Sequence, residues 1–544
     1  MIPLQFFLMI LGILLLTSCT KDSNQNTVIT PHSQVIQQTT PYVHEFGNDV
    51  ADLDSDEPLV QGVPISQYYL TNCSGCHGSN REGLIGPALI PQRLTQSDAY
   101  YFGVIQNGKP GTLMPPWGGI LTDEEINLFI EFIRSEPNPS ALVWDLNDIQ
   151  SSFQILIDES TLPGTPTHSG NLDNLMLVTE REIAAIAAID GDTHTLLAHI
   201  PASYRAHGYC FDPTSNRWAF NVGRDGWVFK IDLYTLQAVR KIRVGLDSRG
   251  IAISDDGQKL IIGNYLPAQA VIINAQTLQP LTVISTRTQN MEGQMVDAKV
   301  AIVSDVAPTP VGYPPVGPYF IIALKEAGQM WRINWSLPGF PIDKLTNVGH
   351  VLHDGFLNPA NTRFYIASQT DNWMSVIDVV NWSLVTQIST GTTPHPGSGA
   401  VWTDILTGTE YAGTTHVGEG KIAIWDISNN TLMGNIPTAG AGLFIRSHEN
   451  SPYVWADALL ATSPEITVFE KAPPFTVVTR ITEGIQTLHP EFTNTGAFVY
   501  ISDWQGNVVR VYNATTFAKV TEISGVTTPT GIFNTSRRLE TLGH

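Results

Sequence analysis

Residues 228–242 read VFKIDLYTLQAVRKI, in which two apolar strands flank a short turn centred on Asp232. Period-two alternation with turn residues between the two halves is typical of an antiparallel hairpin. Seven other segments repeat this pattern, for example IAAIDGDTHTLLAHI at residues 186–200 and VRVYNATTFAKVTEI at residues 509–523. The polar residues that follow the eight first strands are Asp190, Asp232, Asn274, Asn334, Asp378, Asp426, Glu470 and Asn513.

These eight positions recur at intervals of 42, 42, 60, 44, 48, 44 and 43 residues. Other strand-like segments, such as KLIIGNYL, RFYIASQ and AFVYISDW, lie between the hairpins. Four strands in about 45 residues form one blade of a β-propeller. The sequence therefore predicts an all-β, eight-bladed propeller over residues 165–544. Ligands of such a fold lie on the central axis, where the inner strands and the loops that precede them converge.

Composition limits the function further. The chain has 544 residues, of which 42% are hydrophobic and 15% are charged, as expected for an ordered protein with more than one domain. Its formal net charge of −21 excludes a nucleic-acid partner, because phosphate binding needs clustered Lys and Arg.

The N-terminal sequence predicts an export signal. The apolar run FFLMILGILLL at residues 6–16 is too short to span a membrane, and LTSC at residues 16–19 follows it. Small residues before a cysteine resemble a bacterial lipoprotein signal, which predicts a signal peptide at 1–18, lipidation of Cys19 and a flexible polar tether at 19–60. The alternative is an ordinary signal peptide with an incidental cysteine. Both place the protein in the periplasm, and the first anchors it to a bacterial membrane.

A haem attachment motif follows the tether. Cys73-Ser74-Gly75-Cys76-His77 has the c-type spacing, in which two thiols form thioethers to one haem and the adjacent imidazole binds its iron. The motif predicts a covalent haem c held by Cys73 and Cys76, with His77 as an axial ligand.

The surrounding residues suggest the other axial ligand. Met114 lies in LMPPW, 37 residues after His77, and a thioether is a soft ligand that favours ferrous iron. Met114 is therefore the predicted sixth ligand, with His44 of the tether as the alternative. Thr122 and Glu125 predict a capping box that starts a helix. The domain over residues 61–140 resembles class I cytochromes c, which are small, all-α electron carriers.

Several histidines lie in loops rich in glycine or proline. Five such histidines are His207, His353, His395, His416 and His448. A single histidine of this kind is usually structural, but five in loops that face one channel, beside a haem domain, indicate haem ligands or proton donors.

The whole exported chain resembles the cytochrome cd1 superfamily, in which a c-haem domain precedes an eight-bladed propeller that holds haem d1. The most specific strings are VLHDGFLNPANTRFYIAS, GTTPHPGSGAVW, GLFIRSHENSPYVWAD and TPTGIFN. The resemblance implies a non-covalent haem d1, as cofactor or as substrate. It assigns His207 as the proximal iron ligand and His353 and His395 as the distal pair. It also implies that the pocket is lined by Arg224, Arg249, Arg287, Tyr265 and Trp504.

Two activities follow from this resemblance. The main hypothesis is reduction of nitrite to nitric oxide, with electrons passing from haem c to haem d1 and protons supplied by His353 and His395. The alternative is a dihydro-haem d1 dehydrogenase of haem d1 biogenesis, and a second alternative is a non-enzymatic haem d1 carrier or electron shuttle. Each needs a small electron donor or acceptor, such as a cytochrome c or a cupredoxin, and relatives suggest a homodimer.

Overall fold

The computed structural model describes residues 57–78, 80–83, 86–109, 114–137, 143–307 and 316–539. The predicted signal peptide, Cys19 and His44 lie outside the described residues. Within the described part of the chain, no helix is long and apolar enough to cross a membrane.

The described residues of the cytochrome domain form four short helices: α1 (Ile65–Asn72), α2 (Ser74–His77), α3 (Asp98–Asn107) and α4 (Asp123–Arg134). The domain begins earlier than the sequence suggested, because a small ladder pairs Leu59–Val60, in the predicted tether, with Val63–Pro64. Tyr68 and Phe129, whose rings are 5.6 Å apart, join α1 to α4 in the core.

The capping box of α4 is present as predicted. The Thr122 hydroxyl accepts a hydrogen bond from the Glu125 backbone N–H at 3.2 Å, and the Glu125 carboxylate accepts one from the Thr122 N–H at 2.9 Å. Apolar residues at helical spacing then bury one face of the helix, as Ile126, Phe129, Ile130 and Ile133 show.

The eight-bladed propeller is confirmed as eight antiparallel sheets of four strands, one of which gains a fifth strand at its outer edge. From the innermost strand outward, the first four blades are Pro529–Asn534, Leu175–Glu180, Ala185–Asp190 and Thr195–Pro201; Ala206–Phe211, Trp218–Gly223, Trp227–Asp232 and Gln237–Arg243; Asp247–Ile253, Lys259–Leu266, Gln269–Asn274 and Pro280–Ser285; and Val300–Val306, Tyr319–Leu324, Gln329–Asn334 and Ile342–Leu345. The other four are Leu352–Leu357, Arg363–Ser368, Trp373–Asp378 and Ser383–Ser389; Pro394–Thr403, Glu410–His416, Lys421–Asp426 and Thr431–Pro437; Ile445–Ser447, Tyr453–Asp457, Ile466–Glu470 and Val477–Ile481; and Thr487–Phe492, Phe498–Asp503, Val508–Asn513 and Lys519–Ile523.

Short elements complete the propeller. They are the helix α5 (Leu146–Ser151), the strand Gln154–Ile155 at the outer edge of blade 2, the 3-10 turns Glu159–Thr161 and Thr535–Leu539, and a surface ribbon of Arg287–Gln289 paired with Met295–Asp297. We call the upper face the one at which the innermost strands begin. Because neighbouring strands are antiparallel, the turns between second and third strands lie on the same face.

The C-terminal strand closes the ring by forming the innermost strand of blade 1. Pro529–Asn534 pairs with Leu175–Glu180, so that blade 1 joins residues from both ends of the propeller. Asn534 is fully buried, and its amide donates to the Asn174 side-chain oxygen at 2.8 Å. The same oxygen accepts a hydrogen bond from the Asn494 N–H of blade 8.

We expect Asn534→Ala to destabilise the propeller by about 1–3 kcal/mol, because the substitution removes buried hydrogen bonds and leaves a small cavity. Thermal unfolding followed by far-UV circular dichroism measures the loss. Asn429→Ala, in an exposed hairpin turn, is the control and should change stability by less than about 0.5 kcal/mol. Equal effects of the two variants would contradict a role for Asn534 in closing the ring.

Candidate functional site

The attachment motif lies where α1 ends and α2 begins. Cys73 and Cys76 are free thiols, and the Cys76 N–H donates to the Cys73 carbonyl at 3.1 Å. His77 Nδ1 lies 2.8 Å from the Pro87 carbonyl oxygen, which fixes the proton on Nδ1 and leaves Nε2 for iron. Burial lowers the pKa of His77, so the imidazole is neutral, as a ligand must be. These residues fit a covalent haem c.

Met114, the predicted sixth ligand, lies beside Lys109. The Met114 carbonyl accepts a hydrogen bond from the Lys109 backbone N–H at 3.1 Å. The binding of iron by its sulfur stays a prediction.

The innermost strands of seven propeller blades contain bulges near their start on the upper face. His207, Arg249 and Asp354 are the extra residues of three of these bulges. A bulge leaves one residue out of the ladder and re-aims its side chain. A histidine, an arginine and an aspartate are thus placed at positions where the regular alternation of side chains along the strand is interrupted.

Asp354 lies at the centre of a buried cluster of side chains from blades 3, 5 and 6. Its Oδ1 is 3.2 Å from His353 Nδ1, and its Oδ2 is 3.3 Å from His395 Nε2. The Arg249 guanidinium donates to Oδ1 at 2.9 Å. The two imidazole rings lie 4.9 Å apart. The predicted distal pair is therefore brought together, with a carboxylate between its members.

The cluster has a definite charge state near neutral pH. Burial lowers the pKa of His353 well below its usual value, and Arg249 lowers it further. Burial also lowers the pKa of His395, although Asp354 opposes this effect. Burial alone would raise the pKa of Asp354, but His353 and Arg249 outweigh it and hold that pKa well below 3.8. The imidazoles are neutral and the carboxylate is ionised.

His395 faces oxygen atoms on both sides. Its Nδ1 lies 3.2 Å from the Leu443 carbonyl oxygen, and its Nε2 faces Asp354. A neutral imidazole carries one N–H, so it can donate to one of these oxygens at a time.

Tyr265 lies among the arginines of blades 2 and 3. Its hydroxyl accepts a hydrogen bond from Arg249 at 3.2 Å, and the Arg224 guanidinium lies 4.9 Å from the centre of its ring. Trp504 lies elsewhere on the upper face, where its ring stacks under Arg181 at 5.0 Å. Four of the predicted pocket residues are therefore in two groups of aromatic and basic side chains.

Several arginines of the upper face have nitrogen atoms that donate no hydrogen bond within the described residues. Among the described residues, buried nitrogen atoms of Arg181, Arg205, Arg224 and Arg249 have no hydrogen-bond partner. Burial and the neighbouring Arg205 lower the pKa of Arg181 to about 10, as expected where cations are crowded. Unpaired buried donors and excess positive charge suit a ligand with several carboxylates, so the residues fit haem d1.

Arg287 does not join this cluster. It lies on the surface ribbon, its side chain is 56% exposed, and it pairs with Asp297 at 2.9 Å. The STR string carries no information about burial, and the ribbon is an insertion in the longest interval between repeats.

The five loop histidines do not all lie on one face. His416 ends the second strand of blade 6 and pairs with Pro394 on the upper face. His448 instead follows the innermost strand of blade 7, so it lies at the opposite end of the propeller and contacts the Asn494 carbonyl. The expectation that His448 faces the channel is wrong, because it follows its strand rather than preceding it. His207 lies on the upper face, and its binding of iron stays a prediction.

Sequence reasoning missed the acidic residues of the site. Asp354, Glu182 and Asp247 are buried and contact the basic side chains of the upper face. Two of them have a signal in the sequence, since Asp354 follows His353 directly and Asp247 is two residues before Arg249.

Family models cover both domains. The model described as Cytochrome D1 heme domain matches residues 170–538. The model described as Cytochrome C oxidase, cbb3-type, subunit III matches residues 64–133.

Two curated relatives match nearly end to end. A protein of Pseudomonas aeruginosa named dihydro-heme d1 dehydrogenase is 29% identical over 482 residues, which cover 88% of this chain and 94% of that protein. A nitrite reductase of Stutzerimonas stutzeri is 28% identical over 524 residues, which cover 86% and 91%. A solved structure of the dihydro-heme d1 dehydrogenase NirN in complex with DHE has a TM-score of 0.78 and 29% identity, covering 87% of this chain and 99% of the other.

These matches confirm the predicted combination of a cytochrome c domain with a d1-type propeller, and hence haem c and haem d1 as the groups it handles. They also confirm the predicted class, an oxidoreductase.

We expect Asp354→Ala to lower the unfolding free energy of the ligand-free protein by about 3 kcal/mol, because Arg249 loses its buried counter-ion. The double variant with Arg249→Met should recover most of this loss. Asp343→Ala is the control: the Asp343 carboxylate pairs with Arg332 and is 59% exposed. Its loss should lower the unfolding free energy by less than about 1 kcal/mol. Chemical denaturation measures all three, and a loss for Asp354→Ala no larger than that for Asp343→Ala would contradict the cluster.

Acid sensitivity should depend on His416. Burial lowers the pKa of His416 from 6.5 to about 4, so below pH 6.5 the unfolded state binds a proton that the folded state does not. The stability contributed by this residue is present above pH 6.5 and falls by about 3 kcal/mol as the pH drops to about 4. We expect the stability of His416→Gln to fall less steeply over this range in denaturant titrations.

His350→Gln is the control of opposite sign. Hydrogen bonds to Glu292 and Asp371 raise the pKa of His350, so its protonated form stabilises the fold and the variant loses stability relative to wild type as the pH falls. Parallel pH profiles for both variants would contradict the assignments.

Proposed function

The chain belongs to the family of the cytochrome D1 haem domain, and from this premise we propose that it is a dihydro-haem d1 dehydrogenase that passes electrons from its substrate to haem c. The observation that carries the proposal is the position of Asp354 between His353 and His395. End-to-end similarity to a dihydro-heme d1 dehydrogenase supports it.

Nitrite reduction needs two imidazoles that donate protons to a small anion above the iron. Here both ring nitrogens of His395 face oxygens of the protein, and a neighbouring carboxylate disfavours a second anion close by. The geometry supports a site that holds a large tetrapyrrole with two fixed imidazoles rather than one that delivers two protons to nitrite.

The proposed substrate is held through charge and axial contacts. Arg224, Arg249 and Arg181 provide donors for its carboxylates, and Tyr265 and Trp504 provide aromatic surfaces. His207 is the proposed proximal ligand of the substrate iron. His353 Nδ1 lies 3.2 Å from Asp354 Oδ1, so Nε2 of His353 would be the nitrogen available to the tetrapyrrole.

The electron balance requires two steps. Removal of two hydrogen atoms from a dihydro compound releases two electrons and two protons. Cys73 and Cys76 would hold haem c, with His77 and Met114 as the proposed axial ligands, and the bound group would supply an acceptor for one electron at a time. His395, neutral and buried, is positioned to accept one of the protons, and Asp354 would stabilise the resulting imidazolium. The other proton is released to solvent.

A second candidate function is reduction of nitrite to nitric oxide. The close pairing of His353 and His395, 4.9 Å between ring centres, favours it, as does the similarity to a nitrite reductase. It requires His395 to release at least one of its oxygen contacts when nitrite binds. Non-enzymatic haem d1 binding is the remaining alternative.

The proposed location is the periplasm, with Cys19 as a lipid anchor to a bacterial membrane. A small cytochrome c or cupredoxin is the proposed partner that reoxidises haem c between the two steps. A homodimer is also part of this proposal.

The test supplies dihydro-haem d1 to protein that carries haem c only. We expect reduction of haem c and the appearance of the haem d1 spectrum in anaerobic stopped-flow measurements with a soluble oxidant. Cys73→Ser/Cys76→Ser should bind the precursor without converting it, whereas Arg287→Gln should act like wild type.

A second arm separates the candidates. Reduced protein loaded with haem d1 receives nitrite, and nitric oxide is measured with an electrode. Repeated nitric oxide formation together with no conversion of the precursor would overturn the dehydrogenase in favour of the reductase.

A further inference from the structure

The cytochrome domain is fixed to the upper face through basic side chains next to the predicted haem c residues. Arg243 of the propeller, which is 1% exposed, donates to the Glu82 carbonyl at 2.8 Å and to the Gly83 carbonyl at 2.7 Å. The Gly83 N–H in turn donates to the His77 carbonyl. This contact holds the segment that follows the attachment motif.

Two other contacts use acids that also bind arginines of the upper face. Asp247 pairs with Arg93 of the cytochrome domain and lies 3.4 Å from Nε of Arg224. Both Asp247 and Arg93 are buried, with side chains that are 5% and 9% exposed. One carboxylate therefore serves a cation from each domain.

Glu182 repeats this arrangement in blade 1. Its carboxylate is 3.1 Å from Nζ of Lys109 in the cytochrome domain and 3.2 Å from Arg205. Arg181 lies 3.8 Å away on the same carboxylate, and the Tyr204 hydroxyl donates to it. The two acids are independent, since they lie on blades 1 and 3 and contact different cytochrome segments.

We propose that Arg93 and Lys109 are positioning residues for the tetrapyrrole: they neutralise Asp247 and Glu182 and thereby leave Arg224, Arg205 and Arg181 available to carboxylates of the ligand. The inference rests on the proposed function only in taking a d1-type tetrapyrrole as the ligand. On this proposal the cytochrome domain contributes to ligand binding although its Arg93 and Lys109 do not touch the ligand.

Charge decides the direction of the effect. The acids Glu182, Asp247 and Asp354 contact four arginines, which are Arg181, Arg205, Arg224 and Arg249, and these seven side chains carry a net charge of +1. Arg93 and Lys109 raise that net charge to +3. Because interactions between buried charges are weakly screened, the added cations favour a ligand with several negative charges.

The unpaired arginine nitrogens are the donors that carboxylates of the ligand could bind. Within the part of the chain that the structure describes, no hydrogen-bond partner contacts the buried Nη1 of Arg224 or the buried Nε of Arg181 and Arg205. Without Arg93, Asp247 would be left to Arg224 alone and would hold it more tightly. Its uncompensated charge would also repel the carboxylates of the ligand. By linkage, ligand binding must in turn strengthen docking of the cytochrome domain.

The experiment measures binding without turnover. Full-length protein that carries haem c is titrated with haem d1, and the dissociation constant is read from its absorption bands. We expect Arg93→Gln and Lys109→Gln each to raise the dissociation constant at least about fivefold. Arg93→Lys keeps the charge and should restore affinity to within about twofold of wild type.

Three controls separate this effect from misfolding. Asp247→Asn removes the acid instead of its counter-ion, so it should tighten binding. The methyl ester of haem d1 lacks the carboxylate charges, so Arg93→Gln should bind it as wild type does. Arg287→Gln makes the same change in charge on the exposed ribbon and should leave affinity unchanged.

The outcomes are decisive in both directions. Losses of affinity smaller than about fivefold for Arg93→Gln and Lys109→Gln, equal losses for haem d1 and its ester, or unchanged or weaker binding by Asp247→Asn would each overturn the proposal. Failure of the dehydrogenase assay leaves these binding results interpretable, because no step of catalysis enters them.

Discussion

The pairing of Pro529–Asn534 with Leu175–Glu180 is the constraint on which the rest of the structure depends. A propeller has a central channel only when its ring is closed, and here the last strand of the chain supplies the innermost strand of blade 1. The closure places the turn that carries Arg181 and Glu182 beside blades 2 and 8. It also sets the upper face on which the cytochrome domain rests.

The bulges at the start of the innermost strands interrupt this regular frame at the candidate site. His207, Arg249 and Asp354 come from three different blades, yet each is the extra residue of a bulge. The position of Asp354 between His353 and His395 follows from that irregularity. Each acid contacts a different set of basic groups. Asp354 contacts the two imidazoles, whereas Glu182 and Asp247 pair with cations of both domains.

The sequence predicted elements that depend on local order. The capping box of Thr122 and Glu125, the attachment motif and the hairpin repeat are set by residues close together in the chain, so spacing alone was sufficient. The pairing of His353 with His395 was also expected, although only from resemblance to a family. The predictions that Arg287 lines the pocket and that His448 faces the channel were wrong. A short stretch of sequence shows neither how exposed a side chain is nor at which end of a strand its loop lies.

The sequence by itself determined the number of blades and the attachment motif for haem c. Tertiary structure alone decided which charges meet. Asp247 and Arg93 are 154 positions apart, and Arg249 and Asp354 are 105 positions apart, so no local pattern relates them. Their pairing depends on closure of the ring and on docking of the cytochrome domain, because ion pairs form only between side chains that burial has brought within a few ångströms.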